Sequence, residues 1–273
     1  MKKNKFLIIP FLLLFIDAAT ASINTIHQTT RMQSSAGVGV GAVLLDEATL
    51  LNPAPMAFYQ IGAIYYQQEK LSGVDDQTQQ KSTLMIASDS KGPVGGSVSY
   101  IDNELGKNLN VSLATPVAEK SALGITYRNH RPFNGEEKTT FDLGISHAIT
   151  EFFTFGAVLK NPQRVDGHDT RLVVGSQFVY EEFISLMVDF GTDWKNEIAE
   201  DLQYGGAIQF KTFSDIYLRM GTSRDKKLNT GQSGVGVSWV SPKIIVSLSA
   251  SNIEDMNKNE KSKNSSFAVS YKF

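Results

Sequence analysis

From Met56 to Phe273, apolar side chains alternate with polar or small ones in runs of about ten residues, each closed by turn formers. The last run is the clearest. Phe267, Val269, Tyr271 and Phe273 point one way, and Ser266, Ala268, Ser270 and Lys272 the other. Ile184, Leu186, Val188 and Phe190 repeat the pattern, as do Leu202, Tyr204, Ile208 and Phe210. The runs fall near 56–68, 81–90, 93–102, 107–116, 120–129, 138–148, 151–160, 170–180, 182–192, 200–210, 213–222, 232–241, 243–252 and 264–273. That is fourteen strands, an even number, as single-chain membrane barrels require. Connections alternate in length. Short turns such as Lys91-Gly92, Tyr180-Glu181 and Ser241-Pro242 sit between longer polar loops such as 69–80, 161–169 and 253–263.

A soluble β-sandwich would alternate too, with one face buried. Its exposed face would be rich in charge. Here the polar face is mostly Gly, Ser, Ala, Thr and Asn, and the apolar face continues through every run. Aromatics such as Tyr100, Tyr127, Tyr180, Phe183, Phe213 and Trp239 cluster near run ends, as an interfacial girdle would. The expected class is therefore all-β: a transmembrane antiparallel β-barrel.

The residues before Met56 break the pattern. Gly37–Phe58 opens with Gly37, Gly39 and Gly41, passes Asp46-Glu47, and reaches Asn52-Pro53-Ala54-Pro55. Glycines allow close backbone packing, and prolines end regular elements. The apolar Val43–Leu45 and Leu50-Leu51 mark the stretch as buried. It reads as a compact N-terminal plug, residues 22–55, inside a barrel of residues 56–273. The polar residues 22–36 read as the exposed start of that plug or as a disordered terminus.

Residues 1–21 read as a secretory signal peptide. Lys2, Lys3 and Lys5 are followed by apolar Phe6–Ile16 and small Ala19-Thr20-Ala21. The apolar core is too short to span a bilayer, which takes about 20 residues. From 26 basic and 28 acidic residues, cleavage would remove Lys2, Lys3, Lys5 and Asp17, leaving a net charge of −4. That leaves no basic footprint for nucleic acid.

Small-Gly-x-Gly, then Asp46-Glu47-Ala48, then Asn52-Pro53-Ala54 resembles the N-terminal hatch of the FadL family of outer-membrane transporters. A strand ending on aromatic Phe273 is also similar to the C-terminal signal of bacterial outer-membrane proteins. The resemblance implies a bacterial outer-membrane location. It implies passive uptake of hydrophobic small molecules, such as long-chain fatty acids, past the plug. It implies outer-membrane lipid and the barrel assembly machinery as partners. The outer loops are shorter than the capture loops of the family's larger members. A second function therefore stays open: a non-transporting barrel that serves as a structural or assembly partner.

Asp46, Glu47, Asn52, Pro53 and Ala54 are the expected plug motif. Arg128, Asp142, Lys160, Arg171, Asp189, Lys211, Arg219 and Lys272 fall on the lumen face. They fit ion pairs that anchor the plug, since buried charge needs a partner. They also fit a cation that holds a ligand carboxylate. Gly92-Pro93-Val94-Gly95-Gly96 opens the third run with residues that mark bends. In the FadL family a kink there opens a lateral route, so Pro93, Gly95 and Gly96 form the candidate lateral opening. Assigning Pro93 to the preceding turn is the simpler alternative. No cofactor, metal or catalytic set is expected. The four histidines lack metal spacing, there is no cysteine, and adjacent Ser146 and His147 face opposite sides of a strand.

Overall fold

The period-two alternation is realised as paired strands, with one side-chain set turned inward and the other outward. The structure, a computed structural model, describes residues 27–273 apart from 73–78, 105, 134–135, 166–168, 182, 194–197, 199, 213–214 and 258–259. The expected signal peptide and the loop residues Asp75, Asp76, Asp166 and His168 lie outside the described residues.

Fourteen strands run through the described residues. They are β1 Gly62–Ser72, β2 Gln79–Asp89, β3 Gly95–Asn103, β4 Gly106–Ala118, β5 Ser121–Pro132, β6 Lys138–Ala148 and β7 Phe153–Lys160. After these come β8 Arg171–Tyr180, β9 Ile184–Thr192, β10 Gln203–Lys211, β11 Ile216–Asp225, β12 Thr230–Val240, β13 Ile244–Asp255 and β14 Glu260–Lys272. Each pairs antiparallel with its sequence neighbours, and β1 pairs with β14, so the sheet is a closed barrel. Closure removes every open edge, which a bilayer demands of a sheet.

Outward residues on β9 are Ile184, Leu186, Val188 and Phe190, and on β14 Phe267, Val269 and Tyr271. Inward positions hold serine, glycine and charge: Ser97 and Ser99 on β3, Ser247, Ser249 and Ser251 on β13.

The seam closes tightly. Gly62 and Phe273 exchange backbone hydrogen bonds at 3.1 and 3.0 Å. The Phe273 ring occupies the space a side chain at Gly62 would need, with Lys91 Nζ 4.7 Å from its centroid. Phe273→Ser removes that packing and one outward aromatic. It should lower the heat-modifiable, folded fraction of the protein on semi-native gels. Wild-type levels in the variant would contradict the role given to the ring.

One expectation changes, and one open alternative is decided. The first strand starts at Gly62, not near Met56, because Ala54–Phe58 forms a 3-10 turn led by Pro53. Proline fixes a φ close to helical values, so the two prolines favour this turn over a strand. At the third strand the simpler of the two readings of Pro93 holds. Pro93 lies in the connection, and β3 pairs continuously with β2 from Gly96 and with β4 from Gly95. The irregular step lies instead between β4 and β5, at Pro116–Ala118.

Candidate functional site

The barrel's interior is occupied by the N-terminal segment. From Gln28 to Met56 almost every residue is buried, including polar Gln28, Thr29, Thr30, Gln33, Ser34 and Ser35. Residues 28–36 are therefore neither exposed nor without structure. Thr30–Ser34 form one helical turn, α1. The Thr29 hydroxyl caps it by accepting from Met32 N–H at 3.1 Å. Gly37 N–H and Ala36 N–H close its end on Met32 O and Gln33 O, with Ala36 at φ 54°.

These polar residues are buried because the wall is polar. Thr30 N–H donates to Gln67 Oε1 at 2.7 Å and to Tyr65 Oη at 3.0 Å. Gln28 and Gln232 exchange side-chain bonds at 3.0 and 2.7 Å. Ser249 Oγ donates to Gln33 Oε1 at 2.8 Å, and Ser223 Oγ to Ala36 O at 2.7 Å. The side chains of Tyr65, Gln67 and Gln232 were not among the expected site residues. Their parity with inward neighbours on β1 and β12 was the available signal.

Glycine creates the room. A Cβ at Gly156, Gly221 or Gly234 would overlap the carbonyl oxygen of Val40, Ser35 or Gln33. At Gly205 it would lie 2.6 Å from Val38 Cγ2, and at Gly124 2.7 Å from Ala54 N. Inward glycines on β5, β7, β10, β11 and β12 thus form a track that the segment's backbone follows.

The expected lumen charges divide by partner. Asp189 Oδ2 accepts the N–H groups of Gly39 and Val40 at 2.7 and 2.9 Å, fastening the glycine turn to β9. Arg219 donates to Gln209 and, at 3.3 Å, to Ser34 Oγ. Arg128 pairs with Asp142 at 2.7 Å and donates to Leu50 O at 3.3 Å. Asp142 also accepts Asn161 N–H at 3.1 Å. Arg171, fully buried, lies 2.9 Å from Asp169 and 2.6 Å from Asp225 of β11, across the mouth from its own strand. Lys160 is buried, and Lys211 Nζ sits 5.7 Å from the Tyr217 ring centroid. Lys272 is half-buried. Asp142 and Ser146 face inward while His147 faces out to bond Ser121 Oγ at 2.8 Å, so the three do not converge.

Within the expected plug motif, Asn52 Nδ2 donates to Val40 O at 2.9 Å and to Ile145 O of β6 at 3.0 Å. Its Oδ1 accepts Ala54 N–H at 3.1 Å. Pro53 and Ala54 press on Gly124 and Gly144, and Met56 reaches Gly95 on β3. Asn52-Pro53-Ala54 therefore lies against β5 and β6. The 3-10 turn then carries the chain under β4 and β3 toward β1.

Asp46 and Glu47 sit beside Arg31. Glu47 Oε1 accepts the Thr29 hydroxyl at 3.0 Å and lies 3.7 Å from Arg31 Nε. A cavity of 10 Å³ opens beside them, lined by Thr30, Tyr65, Ile245, Ser247, Ala268 and Ser270. That holds about one water molecule.

Burial, then the Glu47 carboxylate, push Asp46 up to about 6 from 3.8. Burial, then the positive charges of His130 and Arg128, push His27 down to about 4 from 6.5. The signs oppose. The Asp46 contribution to seating is full below its free value and is lost as pH rises through about 6; that of His27 is full above 6.5 and is lost as pH falls toward about 4. Asp46→Asn removes the first trend only. Acidification from about pH 7 to about pH 5 should then loosen the segment more in the variant than in wild type, read by limited proteolysis. Identical pH profiles would refute the assignment.

Apolar contacts fill the rest. Leu84 and Ile86 of β2, Ile101 of β3, Val158 of β7 and Val173 of β8 meet Met32, Val40, Leu50 and Leu51 of the segment. The lumen wall is thus serine-rich around β12–β14 and carries an apolar patch of Leu84, Ile86 and Ile101 on β2 and β3.

No protein-family model matches the sequence, and no curated protein does. Solved structures do share the fold. The CymD monoaromatic hydrocarbon channel superposes with a TM-score of 0.67 at 13% identity, over 91% of this chain and 98% of that one. The Ralstonia pickettii toluene transporter TbuX gives 0.68 at 11%, over 91% and 98%. The Pseudomonas putida toluene transporter TodX gives 0.64 at 9%, over 93% and 99%. A Pseudomonas aeruginosa FadL homologue gives 0.57 at 10%, over 93% and 99%.

Proposed function

We propose that this chain is a bacterial outer-membrane barrel for the passive uptake of hydrophobic small molecules. The observation that carries the reading is the apolar patch on the lumen wall. A channel for polar solutes has no use for Leu84, Ile86 and Ile101 on an inward face, whereas a hydrophobic solute needs such a surface to leave water. The fold shared with the hydrocarbon channels supports it. In the closed state those side chains are covered by Leu50, Leu51 and Met32, so passage requires the segment to shift. No energy source enters the scheme.

A neutral hydrocarbon suits this surface better than a fatty acid. Arg128 and Arg171 already face carboxylates, and Arg219 already donates to Gln209. A fatty-acid carboxylate bound at any of these three arginines would have to displace its partner.

The filled lumen favours a second reading, a barrel that only supports another envelope protein. Uptake separates the two. A strain lacking the protein should take up toluene and labelled oleate more slowly than the complemented strain, with the larger difference for toluene. Asn52→Ala leaves two carbonyls and one N–H without their partner, at a cost of about 1–3 kcal/mol. It should alter uptake or leak at normal barrel abundance. Unchanged uptake of both solutes in the deletion strain and in Asn52→Ala would leave only the support role.

A further inference from the structure

The outward apolar band varies in depth round the barrel. β9 carries Ile184, Leu186, Val188 and Phe190 in succession. β1 carries Ile64 and Tyr66, then Gln68 and Lys70; β2, read the other way, carries Ala87 and Met85, then Thr83 and Lys81. Lys70 and Lys81 are direct partners across the β1–β2 ladder, and both are exposed. On its other side Lys70 faces Ser265 of β14. The next outward position on β14, toward the long-loop end, is exposed Lys263. Three outward lysines thus occupy neighbouring ladder positions on three adjacent strands, at the upper margin of the apolar band.

None of the three has an ion-pair partner among the described residues. Two of the described acids near the margin are engaged. Asp102, opposite Thr83, lies 3.9 Å from Lys107, and Glu254 lies 3.0 Å from Lys261. Like charges directly opposite each other destabilise a ladder. A lysine beside lipid also raises its ammonium along its stem toward the headgroups. Both costs disappear when an anion with several oxygens bridges the lysines. Thr83, Gln68 and Ser265 stand next to them with hydroxyl and amide donors.

We propose that Lys70, Lys81 and Lys263 form a site for the phosphate headgroup of an anionic lipid packed against β14, β1 and β2. A second copy of the chain fits worse, since a two-fold contact would bring the same cations together. The site is independent of what crosses the lumen.

The test is native mass spectrometry of the purified full-length barrel with bis-phosphorylated lipid A and with its dephosphorylated form. Wild type should retain the phosphorylated lipid selectively. Lys70→Gln/Lys81→Gln/Lys263→Gln should bind it about tenfold more weakly or worse, since several charge-assisted contacts are lost. Heat modifiability checks folding, and Lys81→Gln alone, with a smaller loss, serves if the triple variant fails to fold. Equal retention of both lipids, or wild-type affinity in the variants, overturns the proposal. So does displacement by an equal concentration of inorganic phosphate, or a wild-type dimer that the triple variant abolishes.

Discussion

Gly156→Val should open the lumen while leaving the barrel assembled. Gly156 lies inward on β7, between Ser146 of β6 and Gly175 of β8. Its missing Cβ is what lets Val40 O pass, and that Cβ would also come within 2.9 Å of Asn52 Nδ2 and 3.0 Å of Gly41 Cα. Valine suits a strand better than glycine does, so the wall itself has no reason to fail. Overpacking of this kind costs about 1–3 kcal/mol, and it is released by whichever partner yields more easily. β7 is held by continuous ladders on both sides. The segment at this point is held by side-chain bonds to Asp189, Asn52 and Thr154. The segment should therefore move. Planar-bilayer conductance and uptake of small hydrophilic antibiotics should rise, with normal heat modifiability. Gly206 provides the control, since it faces outward and a Cβ there meets only Met187 O at 3.8 Å. A folded Gly156→Val barrel with wild-type conductance would show that the segment is not what closes the lumen.

Arg171→Met should produce the largest loss of stability. The guanidinium is fully buried and faces Asp225, also fully buried, and Asp169. It ties β8 to β11 across the outer mouth, with β9 and β10 between them. Removing one member of a buried ion pair costs about 3–5 kcal/mol, because the remaining charge stays without its counter-ion. Arg171→Met/Asp225→Leu, which removes both charges, should recover part of the loss. The measurement is the thermal midpoint of unfolding in detergent, with both variants compared to wild type. A single variant as stable as wild type would mean that Asp225 draws its compensation from elsewhere.

The wall was legible because its physics is local. A strand exposes alternate residues to two media, and lipid on one side makes that alternation visible in composition. All fourteen strands were anticipated, with shifts of a few residues at their ends. The shift at β1 was the largest, since Ala54–Phe58 carries aromatic and apolar residues that fit either a strand or a buried turn. Only the backbone preference of the prolines separates the two. The start of the third strand stayed open for a similar reason. Pro93 and the following glycines signal a bend, but whether it falls inside the ladder or before it depends on where pairing with β2 begins.

The interior was less legible. Residues 28–36 are polar, and polarity usually means water. Here it means a lumen of serine, glutamine and glycine that supplies the same hydrogen bonds. The inward glycines were noticed as part of a small, polar face. Their role as a track depends on which carbonyl each one meets. The sequence by itself determined a membrane barrel of fourteen strands, the faces of those strands, and a buried N-terminal stretch that breaks their rhythm. Tertiary structure alone decided which charge meets which, that Asp189 fastens the glycine turn, and that Asn52 joins the segment to β6. Alternation is a property of one strand and its two surroundings. A partner across the lumen is set by barrel closure and register, which bring together residues more than a hundred positions apart, as Asp189 and Gly39 are.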